Sequence, residues 1–125
     1  MPRQTTKQKS LMIEITNLTK KTGRAIAIDN MTFSVRPGEC LGLFGHDGAG
    51  KSTLLKLLSG ATPATSGNIK IHDIDIATHP IRAKKIIGYQ PEFALSHGNM
   101  KVKSFLGFMA EVRGLRGLEK RKMVD

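Results

Sequence analysis

Hydrophobic residues alternate with polar ones in two stretches near the start of the chain. In the first, Leu11 to Leu18 (LMIEITNL), Leu11, Ile13 and Ile15 occupy every second position, which is the period of a strand with one buried face. The second, Ala27 to Val35 (AIDNMTFSV), follows the polar segment KKTGR. The two stretches predict an antiparallel pair of strands.

A turn and a fully apolar run come next. Arg36 to Glu39 (RPGE) has proline and glycine at the positions that a type II turn favours. Cys40 to Phe44 (CLGLF) is apolar throughout and predicts a strand covered on both faces, as in a parallel sheet. Cys40 is the only cysteine, and we expect it to be a small buried residue on that strand.

Further along, a helical period is followed by another strand period. Ser52 to Gly60 (STLLKLLSG) predicts a helix with a broad leucine face, and Gly60 stands where a C-terminal cap is expected. Asn68 to Ile76 (NIKIHDIDI) predicts a strand that turns near His72 and Asp73.

The last third of the chain is predicted to be mainly helical. A short helix is expected from Pro80 to Lys85, followed by a strand that runs into a loop over Ile86 to Glu92 (IIGYQPE). Val102 to Leu115 predicts a helix, because its hydrophobic residues recur at helical spacing. Its apolar stripe consists of Val102, Phe105, Leu106, Met109 and Val112. The last ten residues, RGLEKRKMVD, are basic and only weakly patterned.

The segment GHDGAGKST satisfies the pattern G-x-x-x-x-G-K-[ST] between an apolar run and an amphipathic helix, which is the context of a phosphate-binding loop. Its glycines allow backbone angles closed to other residues and let backbone amides approach phosphate oxygens. The start of the helix adds an anion site. The alternative is a glycine-rich turn without a ligand. The candidate nucleotide-binding residues are Gly45, His46, Asp47, Gly48, Ala49, Gly50, Lys51, Ser52 and Thr53.

Three residues of this segment have individual expected roles. Lys51 is expected to reach the β- and γ-phosphates, the Ser52 hydroxyl to ligate Mg²⁺, and Thr53 to contact the α-phosphate. Hydrogen bonds of this charge-assisted kind contribute about 1.5 to 3 kcal/mol each. Loss of the lysine should therefore weaken nucleotide binding by about tenfold or more.

The charge of the chain points to an anionic partner. Its 125 residues carry 20 Lys and Arg against 10 Asp and Glu, a formal net charge of +10. Nucleotide phosphates, nucleic acid and an anionic membrane face would all be attracted, although charges spread over solvated faces would give the same excess. Nucleic-acid binding is a distant alternative, because the aromatic residues are only Tyr89 and five Phe and no binding motif is present.

Other features of the sequence favour a cytoplasmic protein. No run of about 18 apolar residues is present, and the N-terminal MPRQTTKQKS has no signal-peptide pattern behind it. A single cysteine fits a reducing compartment. We therefore expect a basic lead-in over residues 1–10 and one domain over residues 11–125.

The run from Ser34 to Gly60 resembles the nucleotide-binding domain of the ATP-binding cassette (ABC) transporter family. The resemblance extends over roughly residues 11–118 and includes Pro63 to Ile76 and the IGYQPE of Ile87 to Glu92. It implies an α/β, P-loop NTPase-like fold with a partial mixed sheet, an N-terminal antiparallel β subdomain and the start of a helical subdomain. IGYQPE and His46 are similar to cassettes of the drug-exporter and polysaccharide or motility type.

The resemblance also implies a function and partners. The chain would bind Mg-ATP as the ATP-binding subunit of a membrane transporter. It would work with a transmembrane subunit and a second cassette, peripherally at the cytoplasmic membrane.

Three positions depart from the family pattern. Thr22 stands where an aromatic residue usually stacks on adenine, so a contact of about 1 to 3 kcal/mol is expected to be missing. Glu92 stands where the family has a glutamine that ligates magnesium, with Gln90 two residues earlier. Glu92 is a candidate magnesium ligand, and the alternative is that both are ordinary loop residues. Asp73 stands where glycine is usual, and aspartate tolerates a left-handed turn.

Parts of the family's catalytic machinery are not found in the 125 residues. There is no LSGGQ-type signature, no apolar run ending in Asp followed by the catalytic Glu, and no switch histidine. His46 lies inside the glycine loop, and His72, His79 and His97 are interpreted as surface residues of loops or strand ends. The sequence therefore predicts nucleotide binding with little hydrolysis, in the first half of a cassette from a truncated or split gene with an incomplete core.

Overall fold

The computed structural model describes residues 11–93 and 98–124, and the predicted lead-in over residues 1–10 and His97 lie outside them. The chain divides into two compact units, Met1–Tyr89 and Gln90–Asp125.

The first unit contains a four-stranded sheet in the order β2-β1-β3-β4. Its strands are β1 (Ile13–Thr22), β2 (Ala25–Val35), β3 (Ser66–Ile71) and β4 (Ile74–Asp75). The predicted antiparallel pair is confirmed, since Ile13 pairs with Val35 and Ile15 with Phe33. The other two pairings are also antiparallel.

A bulge in β1 brings two residues three positions apart to the same buried face. The register with β2 shifts between Ile15 and Leu18, where Asn17 has a φ of 48°. Ile15 and Leu18 are 1% and 0% exposed as a result. Gly67 of β3 lies beside the bulge with a φ of +86°, and a Cβ there would lie 2.3 Å from the Asn17 carbonyl oxygen. Only glycine fits this position without a shift of the backbone.

Helix α1 (Lys51–Leu58) covers one face of this sheet with Leu54 and Leu57. Full burial of an aliphatic side chain of this size contributes about 1.5 to 3 kcal/mol. Gly60 follows the helix with a φ of 68° and donates its N–H to the Leu57 carbonyl at 3.0 Å, which confirms its capping role. The buried cluster consists of Ile15, Leu18, Ile28, Leu54, Leu57, Ile69 and Ile71.

Most of the predicted turns and short elements are confirmed. In the turn between β3 and β4, His72 and Asp73 have φ values of 47° and 63°, so aspartate does adopt the left-handed conformation. Glu39 donates its N–H to the Arg36 carbonyl at 3.1 Å across the RPGE turn. Helix α2 (Pro80–Ile86) begins with the predicted proline.

Two predicted strands are wrong. Cys40–Phe44 and the segment from Ile87 to Glu92 form neither helix nor strand. Leu41 is 53% exposed, Phe44 is 95% exposed, and Cys40 is exposed rather than buried. A strand requires ladder hydrogen bonds to a neighbour, and within residues 11–93 and 98–124 the four strands pair only with one another.

The second unit contains helices α3 (Val102–Val112) and α4 (Gly117–Val124). Helix α3 is the predicted helix, and α4 lies in the segment that showed only weak patterning. The two helices are joined by an ion pair of 2.5 Å between Glu111 and Lys120. Among the described helices, none is long and apolar enough to cross a membrane.

Candidate functional site

The glycine loop, Gly45 to Gly50, leads directly into α1 and packs against β2 through its last glycine. Gly50 has a φ of +93°, and a Cβ there would lie 2.4 Å from the Ala27 carbonyl oxygen and 3.0 Å from Ile28 Cδ1. Gly48 also has a positive φ, +82°. A side chain at Gly50 would push the loop off the strand behind it, so the glycine fixes the position of the loop.

The Lys51 side chain folds back onto the loop. Its Nζ donates to the Gly45 carbonyl at 2.7 Å and to the His46 carbonyl at 2.8 Å. The Ala49 N–H also donates to the His46 carbonyl at 3.1 Å, which closes a turn inside the loop. The ammonium, with three N–H donors in total, is therefore held at the loop where it is predicted to meet phosphate.

The start of α1 offers backbone N–H groups to an anion. The first helical hydrogen bond that follows the loop runs from the Leu54 N–H to the Gly50 carbonyl at 2.8 Å. The N–H groups of Lys51, Ser52 and Thr53 precede it and have no carbonyl four residues back within the helix. No side chain caps this end of α1, and its first turn carries no acidic residue. The positive end of the helix dipole is thus not opposed by a side-chain carboxylate of α1.

His46 and Asp47 form the exposed tip of the loop. The Nδ1 atom of His46 lies 2.8 Å from the Asp47 carbonyl oxygen, a contact that orients the imidazole ring. Both residues are exposed. Their predicted part in nucleotide binding stays a prediction.

The loop fits a magnesium ion that is held mainly by phosphate oxygens. In the described part of the chain, no group of three or more His, Cys, Asp or Glu side chains is placed to hold a metal. Mg²⁺ commonly binds one or two protein oxygens together with substrate phosphates. Ser52 lies exposed in the first turn of α1, beside the N–H groups that would bind phosphate, and its hydroxyl is of the right chemical type.

The remaining predicted site residues are not brought together with the loop by any described contact. Thr22 is exposed at the end of β1, where it pairs with Ala25. Glu92 is exposed and belongs to the second unit, as does Gln90. Their roles at adenine and at magnesium stay predictions.

Sequence reasoning missed the support that the loop receives from β2. The Ala27 backbone carbonyl lies close to Gly50. Any residue type at position 27 has such a carbonyl, so the sequence does not reveal the contact. The glycine at position 50 was the available signal, because it shows that something must approach closely there.

A network of hydrogen bonds surrounds Asp75 at the other end of the sheet. Its carboxylate accepts from the Asn68 side-chain amide at 2.5 Å and from the Ala77 and Thr78 backbone N–H groups at 2.8 and 3.1 Å. These bonds hold the pKa of Asp75 below its ordinary value, and the hydrogen bond from Asn68 has the largest effect. The network fixes the turn that leads from β4 into α2.

A model of the family described as "ABC transporter" matches residues 28–123. The chain belongs to the ABC transporter family. The predicted family is therefore confirmed. A curated relative, the probable multidrug ABC transporter ATP-binding protein YbhF of Escherichia coli, is 36% identical over 114 residues. That alignment covers 91% of this chain and 20% of the relative.

Two solved structures show the same fold. The first, an ATP-binding subunit of an ABC transporter, has a TM-score of 0.73 and 28% identity and covers 84% of this chain and 44% of its own. The second, a bacterial ABC transporter cassette solved as a dimer, has a TM-score of 0.74 and 25% identity. It covers 89% of this chain and 53% of its own. The predicted P-loop NTPase-like fold class is confirmed, and the chain spans about half of each solved cassette.

Proposed function

We propose that this chain is the nucleotide-binding part of an ABC transporter and that it binds ATP through Gly45 to Thr53. The observation that carries the proposal is the position of the Lys51 ammonium, which is held at the loop by the Gly45 and His46 carbonyls. The packing of Gly50 on Ala27 supports it, because the loop is positioned before any ligand arrives. Family membership supports ATP as the nucleotide.

Each part of the site has one task in the bound state. The backbone N–H groups at the start of α1 donate to phosphate oxygens, and Lys51 turns part of its ammonium from the two carbonyls toward the β- and γ-phosphates. The Ser52 hydroxyl, with Glu92 as a second candidate, would hold Mg²⁺. When bound, Mg²⁺ neutralises charge on the β- and γ-phosphate oxygens.

The partners are proposed from the relatives. The Escherichia coli relative is named as a multidrug transporter component, and one solved cassette is a dimer. We infer that this chain works with a second cassette and a transmembrane subunit, as a peripheral protein at the cytoplasmic face of the membrane, and that export is the direction to test first.

Hydrolysis by this chain alone is expected to be negligible. Phosphoryl transfer to water needs the γ-phosphate held, Mg²⁺ held and the attacking water oriented. Lys51 supplies the first and Ser52 part of the second, but no residue of the chain is assigned to orient the water. Steady ATP turnover by the purified chain that disappears in Lys51→Ala would contradict this expectation.

Calorimetric titration with Mg-ATP tests the proposal. Lys51→Ala is expected to weaken binding by about tenfold or more, because one charge-assisted contact to phosphate is lost. Lys56→Ala is the matched control, since it removes the same charge from the exposed last turn of the same helix. Equal affinity in wild type and Lys51→Ala, with both folded by circular dichroism, would refute the assigned role of the loop.

A further inference from the structure

A single carboxylate lies within the loop that is proposed to bind phosphate. Asp47 is the only Asp or Glu between Glu39 and Asp73 in the sequence. The rest of the loop attracts anions, through the Lys51 ammonium and the backbone N–H groups at the start of α1. A phosphate that binds here therefore meets one negative charge among groups that favour its binding.

A tight turn holds the backbone of Asp47 at the tip of the loop. The Ala49 N–H donates to the His46 carbonyl at 3.1 Å, which makes Asp47 and Gly48 the central pair of the turn. The φ of +82° at Gly48 is typical of the third residue of a type II turn. The Asp47 carbonyl oxygen lies 2.8 Å from His46 Nδ1. The backbone of Asp47 is thus defined by contacts within the loop itself.

The Asp47 carboxylate lies within electrostatic range of the Lys51 ammonium. Lys51 Nζ is 2.8 Å from the His46 carbonyl oxygen. That oxygen belongs to the peptide that joins His46 to Asp47, so the geometry of a trans peptide places it about 3 Å from the Asp47 Cα. The Cα is therefore no more than about 6 Å from Nζ, and the carboxylate no more than about 9 Å from it. Charges this close are not fully screened at an ionic strength of about 0.1 M, where the Debye length is about 10 Å.

No cation among the described residues neutralises this carboxylate. Asp47 is exposed, and within residues 11–93 and 98–124 no Lys, Arg or His lies within ion-pair distance of it. The Lys51 ammonium donates to the Gly45 and His46 carbonyls instead. The Asp47 charge is therefore available to act on a ligand at the loop.

We propose that Asp47 makes the loop select magnesium-bound ATP over metal-free ATP. The inference rests on the proposed function and concerns which form of the nucleotide the site accepts. Metal-free ATP carries the full charge of its three phosphates, and bound Mg²⁺ neutralises part of that charge. Repulsion from a carboxylate grows in proportion to the charge of the ligand, so Asp47 opposes the metal-free form more strongly.

Asp47 acts here through its charge and is not assigned as a metal ligand. Lys51 and the N–H groups at the start of α1 attract both forms of ATP, and by themselves they would favour the more negative one. The carboxylate offsets this preference. Asp47 is thus a specificity-determining residue, since it lowers the affinity for metal-free ATP more than the affinity for Mg-ATP.

Calorimetric titration with ATP at low salt, once with Mg²⁺ and once with a chelator, tests the proposal. Asp47→Asn keeps the shape of the side chain and removes its charge. It should raise the affinity for metal-free ATP by about five- to tenfold and the affinity for Mg-ATP by about twofold. The ratio of the metal-free to the Mg-bound dissociation constant should therefore fall by about threefold or more. Asp47→Glu, which keeps the charge, should keep the wild-type ratio.

Asp73→Asn is the matched control, because it removes the same charge far from the loop. Asp73 lies in the turn after β3, whose Ile71 pairs with Ile13. Ile13 pairs in turn with Val35, and about 25 Å of extended strand separates Val35 from Ala27, where β2 contacts the loop. Asn adopts the left-handed backbone of this turn readily, so the fold should be retained. Both affinities should equal those of the wild-type chain within about twofold.

Failure of this inference and failure of the proposed function give different results. If the wild-type chain binds neither form of ATP, the proposed function fails and this inference fails with it. If it binds Mg-ATP but Asp47→Asn leaves the ratio unchanged, or Asp73→Asn changes it equally, only the role of Asp47 is overturned. A loss of Mg-ATP affinity in Asp47→Asn would make Asp47 a metal ligand and would also overturn the charge account. Asp47→Ser, a second neutral variant, must reproduce the fall in the ratio, which covers the case that Asp47→Asn does not fold.

Discussion

The strand β1 and the segment Cys40–Phe44 show that burial in this protein does not follow hydrophobic content. β1 has three hydrophobic residues among ten, yet Ile15 and Leu18 are almost completely buried. Cys40–Phe44 is apolar throughout, yet Phe44 is 95% exposed. β1 has a hydrogen-bonded strand on each side, whereas no described strand pairs with Cys40–Phe44. Pairing with neighbours, rather than composition, separates the buried region from the exposed one.

The difference has a functional side. The glycine loop lies between the exposed segment Cys40–Phe44 and helix α1, whose Leu54 and Leu57 belong to the buried cluster. Its last glycine rests on β2, and its lysine returns to the Gly45 and His46 carbonyls. The loop is therefore held in place by its contact with β2, and its geometry does not depend on a strand over Cys40–Phe44.

The largest expected effect comes from shortening one leucine of the buried cluster that contains Ile15 and Leu18, and one leucine of Cys40–Phe44. Leu57→Ala removes a side chain that is 1% exposed and should lower the free energy of unfolding by about 2 to 5 kcal/mol. Leu41→Ala makes the same chemical change at a residue that is 53% exposed and should cost much less, about 0.5 kcal/mol or less. Urea unfolding followed by circular dichroism measures both. If both variants lost the same free energy of unfolding, Cys40–Phe44 would be buried in solution, and the difference in burial between the two regions would not hold.

A second test compares two glycines. Gly67→Ala should destabilise the chain by about 1 to 3 kcal/mol, because the new Cβ would meet the Asn17 carbonyl at 2.3 Å in a backbone with a φ of +86°. Gly88→Ala lies in the segment after α2 that forms neither helix nor strand, and its new Cβ meets nothing within 4 Å, so the change should be close to neutral. Thermal melting of the two variants measures the difference. A Gly67→Ala protein with unchanged stability would mean that β1 and β3 are not held in this register.

The smallest expected effect concerns pH. The pKa of Asp75 is lower in the folded chain than its ordinary value of 3.8, chiefly because of the Asn68 amide. A carboxyl with a lowered folded pKa stabilises the fold above its unfolded pKa, and this stabilisation is lost as the pH falls through the folded value. The melting temperature should therefore fall less steeply below about pH 4 in Asp75→Asn than in wild type.

Asp29→Asn is the control for this pH effect, because Asp29 is an exposed residue of β2 outside the network. Identical acid profiles for wild type and Asp75→Asn would show that the Asn68 contact does not persist in solution. The same profile change in Asp29→Asn would assign the effect to net charge rather than to the network.

Local patterns were sufficient to predict much of the fold. The alternation in β1 and β2, the leucine face of α1 and the left-handed Asp73 follow from residues close in sequence, and the structure confirms them. Helix α4 was missed because its hydrophobic residues, Leu118, Met123 and Val124, point in different directions around the helix and define no face. The strand over Cys40–Phe44 was wrong because an apolar run cannot show whether a pairing neighbour exists.

The candidate site divides in the same way. Gly45, Gly50 and Lys51 were predicted from the spacing of the pattern and from its place between an apolar run and an amphipathic helix. The support from Ala27 was not predicted, because it is a backbone contact between residues 23 positions apart. The exposure of Val102, Leu106, Met109 and Val112 on α3 was also beyond the sequence, since periodicity identifies an apolar face without showing what covers it.

The most direct test of the central claim, that the loop and the start of α1 bind the phosphates of ATP, is a titration of the ¹⁵N-labelled chain with Mg-ATP followed by amide chemical shifts. The account predicts that the largest shifts occur at the amides of Gly48, Gly50, Lys51, Ser52 and Thr53, and that Lys51→Ala needs about tenfold more nucleotide for the same change. Shifts that are absent at these amides under saturating Mg-ATP, or that cluster on α3 and α4 instead, would contradict it.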